Sequence, residues 1–469
     1  MSPMTKSSPW SNRRVHFVGI GGSGMSGIAK VALARGAKVT GSDIHNSGVI
    51  ENLEKLGAQI TLRHEAESVA GMSSATDIVV RTSAVNDSNP EIAAAKAAGI
   101  PVWERAAFLA ELMKGYRSVA VAGTHGKTTT TSMLTVALQH CRLDPSFAIG
   151  ATVRNSGTNA HHGTGDIFIV EADESDGSFT AYQPLGAIIT NIELDHVDNF
   201  KDLASIDQIF QQFISTIARD GFLIACVDDP GVLRLLEYVR GQRPDLKVTT
   251  YGESTTADLV IDRIFLDQKS LTARATLRGR VLGEINLSVP GRHNALNAAA
   301  ALAAGINLGA PIAELIEGLT IFTGARRRFE IKAVTGGITV VDDYGHHPTE
   351  IRATLETARN YVGAGRVLVI FQPHRFSRTQ AFAEDFAHEL GSADLTYLLE
   401  IYPASEQPIP GITSLTIASK MPQEKVRYEP SMPAVIADVV AQAKPGDLIL
   451  TLGAGDVSSM APLIAANLN

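Results

Sequence analysis

One stretch restricts the fold of this chain more than any other. Ser118-Val-Ala-Val-Ala122 is an apolar run that leads at once into Gly123-Thr-His-Gly-Lys-Thr-Thr-Thr-Thr131. Met133, Leu134, Val136, Ala137 and Leu138 then recur as they would on a helix. Strand, glycine loop and helix in that order belong to a parallel α/β sheet. The loop has the build of a phosphate-binding turn, because N–H groups at a helix start face an anion and the helix dipole adds attraction. Lys127 is placed to reach terminal phosphates and Thr128 to hold Mg²⁺. The usual pattern has a further glycine where Val121 stands, so this loop is the shorter Gly-x-x-Gly-Lys-Thr. Four threonines open the helix poorly, since each is stiff at χ1, so their hydroxyls are expected to have another task.

At 469 residues the chain needs more than one core. A net charge of −8 argues against a nucleic-acid partner. Two cysteines, Cys141 and Cys226, read as buried reduced thiols of a cytoplasmic protein. No apolar run is long enough to span a bilayer, so no membrane insertion is expected. Residues 1–14, rich in Ser, Pro, Asn and Arg, read as a flexible tail.

A second glycine loop lies upstream. Val15-His-Phe-Val18 reads as a buried strand and enters Gly19-Ile-Gly21-Gly22-Ser23-Gly24-Met25, with a helix following to Leu33. Gly-x-Gly-x-x-Gly between strand and helix is a dinucleotide fingerprint, and Asp43, ending the next strand, suits a ribose hydroxyl. A third strand ends at Arg81-Thr-Ser83, and Gly99-Ile-Pro-Val-Trp103 reads as a fourth. The loop implies a diphosphate near a helix start; NAD, FAD and a sugar nucleotide all satisfy it. Residues 15–115 are expected to form one Rossmann-like domain.

Residues 116–323 are expected to form a central domain, a P-loop-type parallel sheet with a small antiparallel sheet. Asp166 to Val170 runs into Glu171-Ala-Asp-Glu174-Ser-Asp, and Ala187 to Thr190 into Asn191-Ile-Glu-Leu-Asp-His196. Ligands of open parallel sheets bind at carboxyl strand ends, which would gather Lys127, Thr128, Glu171 and His196. Oxygen donors with one imidazole suit Mg²⁺ or Mn²⁺ beside a triphosphate; the alternative is a solvated acidic loop. Residues 258–290 alternate and turn often, as an antiparallel sheet does. His293-Asn294-Ala-Leu-Asn297 then opens an Ala-rich helix. Its asparagines share a face and either meet a base edge or cap the helix.

Residues 324–469 repeat the α/β rhythm as a C-terminal Rossmann-like domain. Arg326-Arg327-Arg328 is either solvated surface or a source of positive charge for a phosphate. Three strands here end in Asp342-Asp343-Tyr-Gly-His346-His347-Pro, Gln372-Pro-His374-Arg375-Phe-Ser-Arg378 and Gly453-Ala-Gly455-Asp456. Arg375 and Arg378, three apart, are candidates to grip a carboxylate.

Taken together these motifs resemble the Mur ligases of bacterial peptidoglycan synthesis, over the chain from about residue 15 onward. The resemblance implies three domains holding a UDP-sugar, ATP and an amino acid, and ATP-driven amide formation through an acyl phosphate. Within the family it points to the alanine-adding branch, acting on UDP-N-acetylmuramate, ATP and L-alanine, as a monomer or weak homodimer. The matching motifs assign Gly123, Thr124, His125, Gly126, Lys127, Thr128, Thr129, His293, Asn294, Asn297, Arg327 and Asp343 to ATP. They assign Gly19, Gly21, Gly22, Ser23, Gly24, Met25, Asp43 and Ser83 to the UDP-sugar, and His374, Arg375 and Arg378 to the amino acid. Thr128, Glu171 and His196 match metal ligands; Lys127, His196, Arg327 and His347 match catalytic positions. Several relatives carry a carbamylated lysine beyond the His196 equivalent; here Phe210-Gln-Gln-Phe213 has none, as the alanine-adding branch would have it. A ligase recycling a preformed peptide is the alternative within the family. An NAD-dependent dehydrogenase or a nucleotide sensor would leave the second loop or the acidic-histidine set without a role.

Overall fold

The computed structural model describes residues 9–70, 76–82 and 85–468. Its architecture is α/β in three domains, each built on one sheet of five, ten and six strands. Most of the expected tail, residues 1–8, lies outside the described residues. Trp10, however, is 6% exposed and packs edge-on against Phe108, because an indole gains more from the core than from water.

The first sheet is wholly parallel, in the order Gln59–Thr61, Lys38–Ser42, Arg14–Val18, Ile78–Arg81, Val102–Glu104. The three-residue strand Gln59–Thr61, too short for a periodic signal, escapes the sequence reading. The strand order reverses around Arg14–Val18, so the first glycine loop leaves the sheet at its switch point, where ligands bind.

In the central sheet, strand Arg117–Ala122 lies between Ile167–Glu171 and Gly186–Ile189, parallel to both. Gly123, Glu171 and Asn191 are therefore neighbours at one edge, as the strand-end argument expects. Strands Leu259–Leu266, Leu271–Leu277 and Arg280–Leu287 are antiparallel to each other, but they do not form a separate sheet. Leu259–Leu266 pairs in parallel with Lys247–Gly252, which fuses them into one ten-stranded mixed sheet. Burial explains the fusion. Leu259, Ile261, Ala273 and Ile285 join the same core as helix His293–Asn307, whose alanines let it lie close to the sheet. At the opposite edge, hairpin Ser146–Val153/Thr158–His161 reaches the first domain. There Asn159 Nδ2 donates to the Ser23 carbonyl (3.1 Å), and Lys30 Nζ donates to Asn159 Oδ1 (2.9 Å).

The third sheet runs Glu330–Thr335, Ile338–Asp343, Leu448–Leu452, Val367–Phe371, Leu395–Leu398, Val426–Tyr428. Only the first pair is antiparallel. Asp343, Phe371 and Leu452 therefore end side by side, which groups the histidines and arginines that follow them. No helix among the described residues is long and apolar enough to cross a membrane.

Candidate active site

Steric necessity shapes the second glycine loop. Gly123 has φ +134°, and a Cβ there would fall 2.1 Å from Thr190 Oγ1. Gly126 has φ +82° at the helix N-cap. Asn191 receives the His125 N–H on Oδ1 (2.7 Å), and Thr190 Oγ1 donates to the His125 carbonyl (2.6 Å), so the neighbouring strand end fixes the loop. Three of the four threonine hydroxyls are occupied. Thr128 donates to Glu171 Oε1 (2.9 Å), Thr130 to Asn297 Oδ1 (3.1 Å) and Thr131 to the Lys127 carbonyl (2.7 Å). Lys127 Nζ folds back onto Gly123 and Thr124 carbonyls and both oxygens of buried Glu174 (3.0 and 2.8 Å). Burial opposes the ammonium, but Glu174 and Asp173 outweigh it and raise its pKa.

The acidic and histidine residues divide into two groups. Glu171 sits on Thr128 and accepts the Gly150 N–H (2.8 Å). His196 instead groups with Asp173 and Glu174 at metal-ligating spacing, its Nε2 3.6 Å from Glu174 Oε1. Burial works against the imidazolium, yet Glu174 and Asp195 raise the His196 pKa. Among the described residues no side chain of the helix after this loop joins that group, and its Phe210 and Phe213 are fully buried against Phe179.

A cavity of about 190 Å³ opens between the central and third domains, lined by His125, Gly126, Thr129, His293, Asn294 and Asn297, with Tyr251, Val289, Leu296 and Phe322 as apolar walls. A flat base and a polar edge suit this lining. The asparagines do not cap their helix, whose N-cap Arg292 has no side-chain cap. They form a chain from the Pro290 carbonyl through Asn294 and Asn297 to Thr130. Burial, with Arg328 nearby, pushes His293 down to about 4.

Arg327 does not face this cavity. Its Nη2 donates to the Gly453 carbonyl (2.6 Å), and its guanidinium lies over Tyr344. Arg328 is the arginine at the phosphate loop, with Nη2 3.4 Å from Thr128 Oγ1 and Nη1 3.7 Å from Glu350 Oε1. Adjacent side chains leave the backbone in different directions, and a run of three arginines cannot show which one turns inward. Asp343 lines the cavity, with its carboxylate holding the N–H groups of Phe329 (2.7 Å) and Gly345 (2.8 Å).

From the third domain, Arg378 crosses to the central domain. Its Nε and Nη2 donate to Asp195 Oδ1 (2.9 and 2.8 Å), with both side chains 4% exposed. Burial raises the carboxyl pKa of Asp195, but Arg378 and His196 overcome that and hold it far below its usual range. Arg375 pairs with Asp198. His374 stacks on Tyr402, and burial plus nearby His346 and Arg378 lower it to about 3. His347 N-caps helix Pro348–Val362, and its Nε2 lies 3.3 Å from the Leu194 carbonyl.

Gly19, Gly22, Ser23, Gly24 and Met25 line a second cavity of about 330 Å³. Asp43 stays behind the loop, its carboxylate holding the N–H groups of Gly21 (2.9 Å), Ile44 (2.8 Å) and His45 (3.2 Å). Ser83 lies outside the described residues. Arg105, which no motif marks, lines this cavity beside Gly24. Glu171, Asp173 and Asp176 of the central domain line it as well. Glu174, Arg328, Glu350 and Arg105 were not singled out one by one in the sequence. Glu174 and Arg328 lie inside noted clusters, whereas Arg105 and Glu350 carry no local signal.

Comparison with known proteins bears on this arrangement. Residues 14–117 match the family model described as "Mur ligase family, catalytic domain", 121–305 the "Mur ligase middle domain" and 327–455 the "Mur ligase, glutamate ligase domain". A UDP-N-acetylmuramate–L-alanine ligase of Saccharopolyspora erythraea is 48% identical over 97% of this chain and 93% of its own. The chain belongs to the Mur ligase family. A second relative of the same name, from Acidothermus cellulolyticus, is 47% identical over 96% of this chain and 94% of its own. Among solved Mur ligase structures, a UDP-N-acetylmuramate-alanine ligase of Thermotoga maritima superposes with a TM-score of 0.81 at 29% identity, covering 97% of this chain and 98% of that one.

Proposed function

We propose that this Mur ligase joins L-alanine to the carboxylate of UDP-N-acetylmuramate at the expense of ATP. One observation carries the reading: Glu171 lines the first-loop cavity and is hydrogen-bonded to Thr128 of the second loop. A sugar nucleotide held by Gly19 to Met25 would extend its far end to the place where Lys127 meets phosphate. ATP would lie with its base between Asn294, Asn297 and the apolar wall, and its phosphates over Gly123 to Thr128. The names of the two bacterial relatives support alanine as the amine.

The donor set fits Mg²⁺: Thr128 and Glu171 offer hard oxygens, and Asp173, Glu174 and His196 form a second group. The imidazole also admits Mn²⁺. Bound there, the cation would supply charge neutralisation that lets two anions approach. The side chains supply the rest. Lys127 exchanges Glu174 for phosphate, and Arg328, rather than Arg327, adds the second positive charge beside Thr128. Arg378, with His374 at 3.2 Å from its Nη1, exchanges Asp195 for the alanine carboxylate. A planar fork grips a carboxylate with two bonds, which matters for a substrate with so small a side chain.

The test is ATP-dependent phosphate release with UDP-N-acetylmuramate, comparing L-alanine with a tripeptide. Release with L-alanine and little with the tripeptide is expected. The reverse preference would make the protein a peptide-recycling ligase.

A further inference from the structure

A third group of donors lies apart from the two just described. His125 comes from the phosphate loop, Glu193 from the loop after strand Gly186–Ile189, and His347 from the third domain. One ligand atom of each lies within 4.8 Å of the others. His125 Nε2 is 3.6 Å from Glu193 Oε2, and His347 Nδ1 is 4.0 Å from the same oxygen. Bonds of about 2.0–2.1 Å place tetrahedral zinc ligands about 3.3 Å apart, so closing the triad on a cation draws in the 3.6 and 4.0 Å gaps to Glu193, the second by roughly 0.7 Å.

The outer contacts are those such a site needs. A ligating histidine directs its other nitrogen to a carboxylate or carbonyl, which fixes the tautomer and the ring. His125 Nδ1 faces Glu350 Oε1 at 3.3 Å, and His347 Nε2 faces the Leu194 carbonyl at 3.3 Å. Glu193 is steadied by the Thr349 hydroxyl, which donates to its Oε2 (2.7 Å). Both ring nitrogens of His125 are buried, and each faces a carboxylate without reaching hydrogen-bond geometry. The competing contact is weak: the Thr349 N–H reaches His347 Nδ1 at 3.3 Å.

We propose that His125 Nε2, Glu193 Oε2 and His347 Nδ1 form a site for a transition-metal cation of the zinc class, bridging the central and third domains. Two imidazoles and one carboxylate select such a cation over Mg²⁺, which prefers oxygen and octahedral geometry. His125, Thr349 and Glu350 line the nucleotide cavity, so the fourth position opens there. The site differs from the Asp173–Glu174–His196 group in residues and in softness.

Co²⁺ is the probe, because its visible absorption reports tetrahedral nitrogen and oxygen ligation. Added to the full chain in excess Mg²⁺, Co²⁺ should bind at one equivalent with visible bands, and Zn²⁺ should displace it. His347→Asn and Glu193→Gln should abolish the bands, Glu350→Gln should weaken binding about ten- to a hundredfold, and His196→Asn should leave them intact. Bands that persist in His347→Asn, or vanish in His196→Asn, overturn the proposal. Zn²⁺ should also raise the Tm of the parent but not of Glu193→Gln; equal rises in both would place the metal elsewhere.

Discussion

The loop after Val18 and the loop after Ala122 both leave the carboxyl end of an inner parallel strand and enter a helix, at Ser23 and Lys127. Behind the first stands an anion, Asp43, that holds its N–H groups; no basic side chain belongs to the loop itself, and Arg105 stands beside its Gly24. Behind the second stand neutral Thr190 and Asn191, and its own Lys127 and the neighbouring Arg328 bring positive charge. The backbone device is shared, and the side chains decide its use. A loop that only holds a diphosphate needs N–H groups in place; a loop beside a phosphoryl group in transfer needs charge that is already oriented.

The largest expected effect breaks the comparison at its charge. Lys127→Ala should lower kcat by about 10² or more, the loss typical of a preorganised charge stabiliser, while UDP-sugar affinity measured by calorimetry stays near the parent value. Near-normal turnover would refute the division of labour. Arg328→Ala should raise KM for ATP well above the change in Arg327→Ala, since only Arg328 reaches Thr128; equal changes would mean the geometry misplaces the charge.

Gly123→Ala sharpens the steric half. Its Cβ would meet Thr190 Oγ1 at 2.1 Å with φ +134°, a strain of about 1–3 kcal/mol. A clear drop in Tm is expected, and an unchanged Tm contradicts the packing. Gly21→Ala should do less. Its Cβ would lie 2.9 Å from Asp43 Oδ2, a side chain that can yield, for about 1 kcal/mol. KM for the UDP-sugar should rise several-fold and KM for ATP stay constant; a matching rise in both would dissolve the separation of the two loops.

The smallest effect is one of pH. Burial disfavours a charged His125, but Glu193 and Glu350 raise it from 6.5 to about 9. A raised folded-state pKa contributes stability that is full below about 6.5 and lost as pH climbs through about 9. The Tm of the metal-free protein should fall across that window, and His125→Asn should flatten this part of the curve. A parent curve flat from pH 6.5 to 9.5 would show that the two carboxylates do not hold the proton.

Much of this was legible in the residues. Strand Arg117–Ala122, the loop glycines, Lys127, Thr128 and the position of Glu171 and His196 after carboxyl strand ends follow from local pattern, since hydrophobic runs and glycine spacing act within a few residues; that His196 sits with Asp173 and Glu174 rather than with Glu171 does not. Partnership at long range was not legible. The antiparallel strands after Asp258 joined the central sheet because their apolar face shares the core under helix His293–Asn307. Arg328 rather than Arg327 turned to the phosphate loop because the fold takes the Arg327 guanidinium to Gly453, 126 residues away. Arg378, a candidate to grip a carboxylate, is held by Asp195, 183 residues away. His125, Glu193 and His347 met because three loops from two sheets converge. The sequence determined which residues could do the chemistry; the packing of domains decided which charges face each other, because electrostatic partnership falls off with distance in space and is blind to distance along the chain.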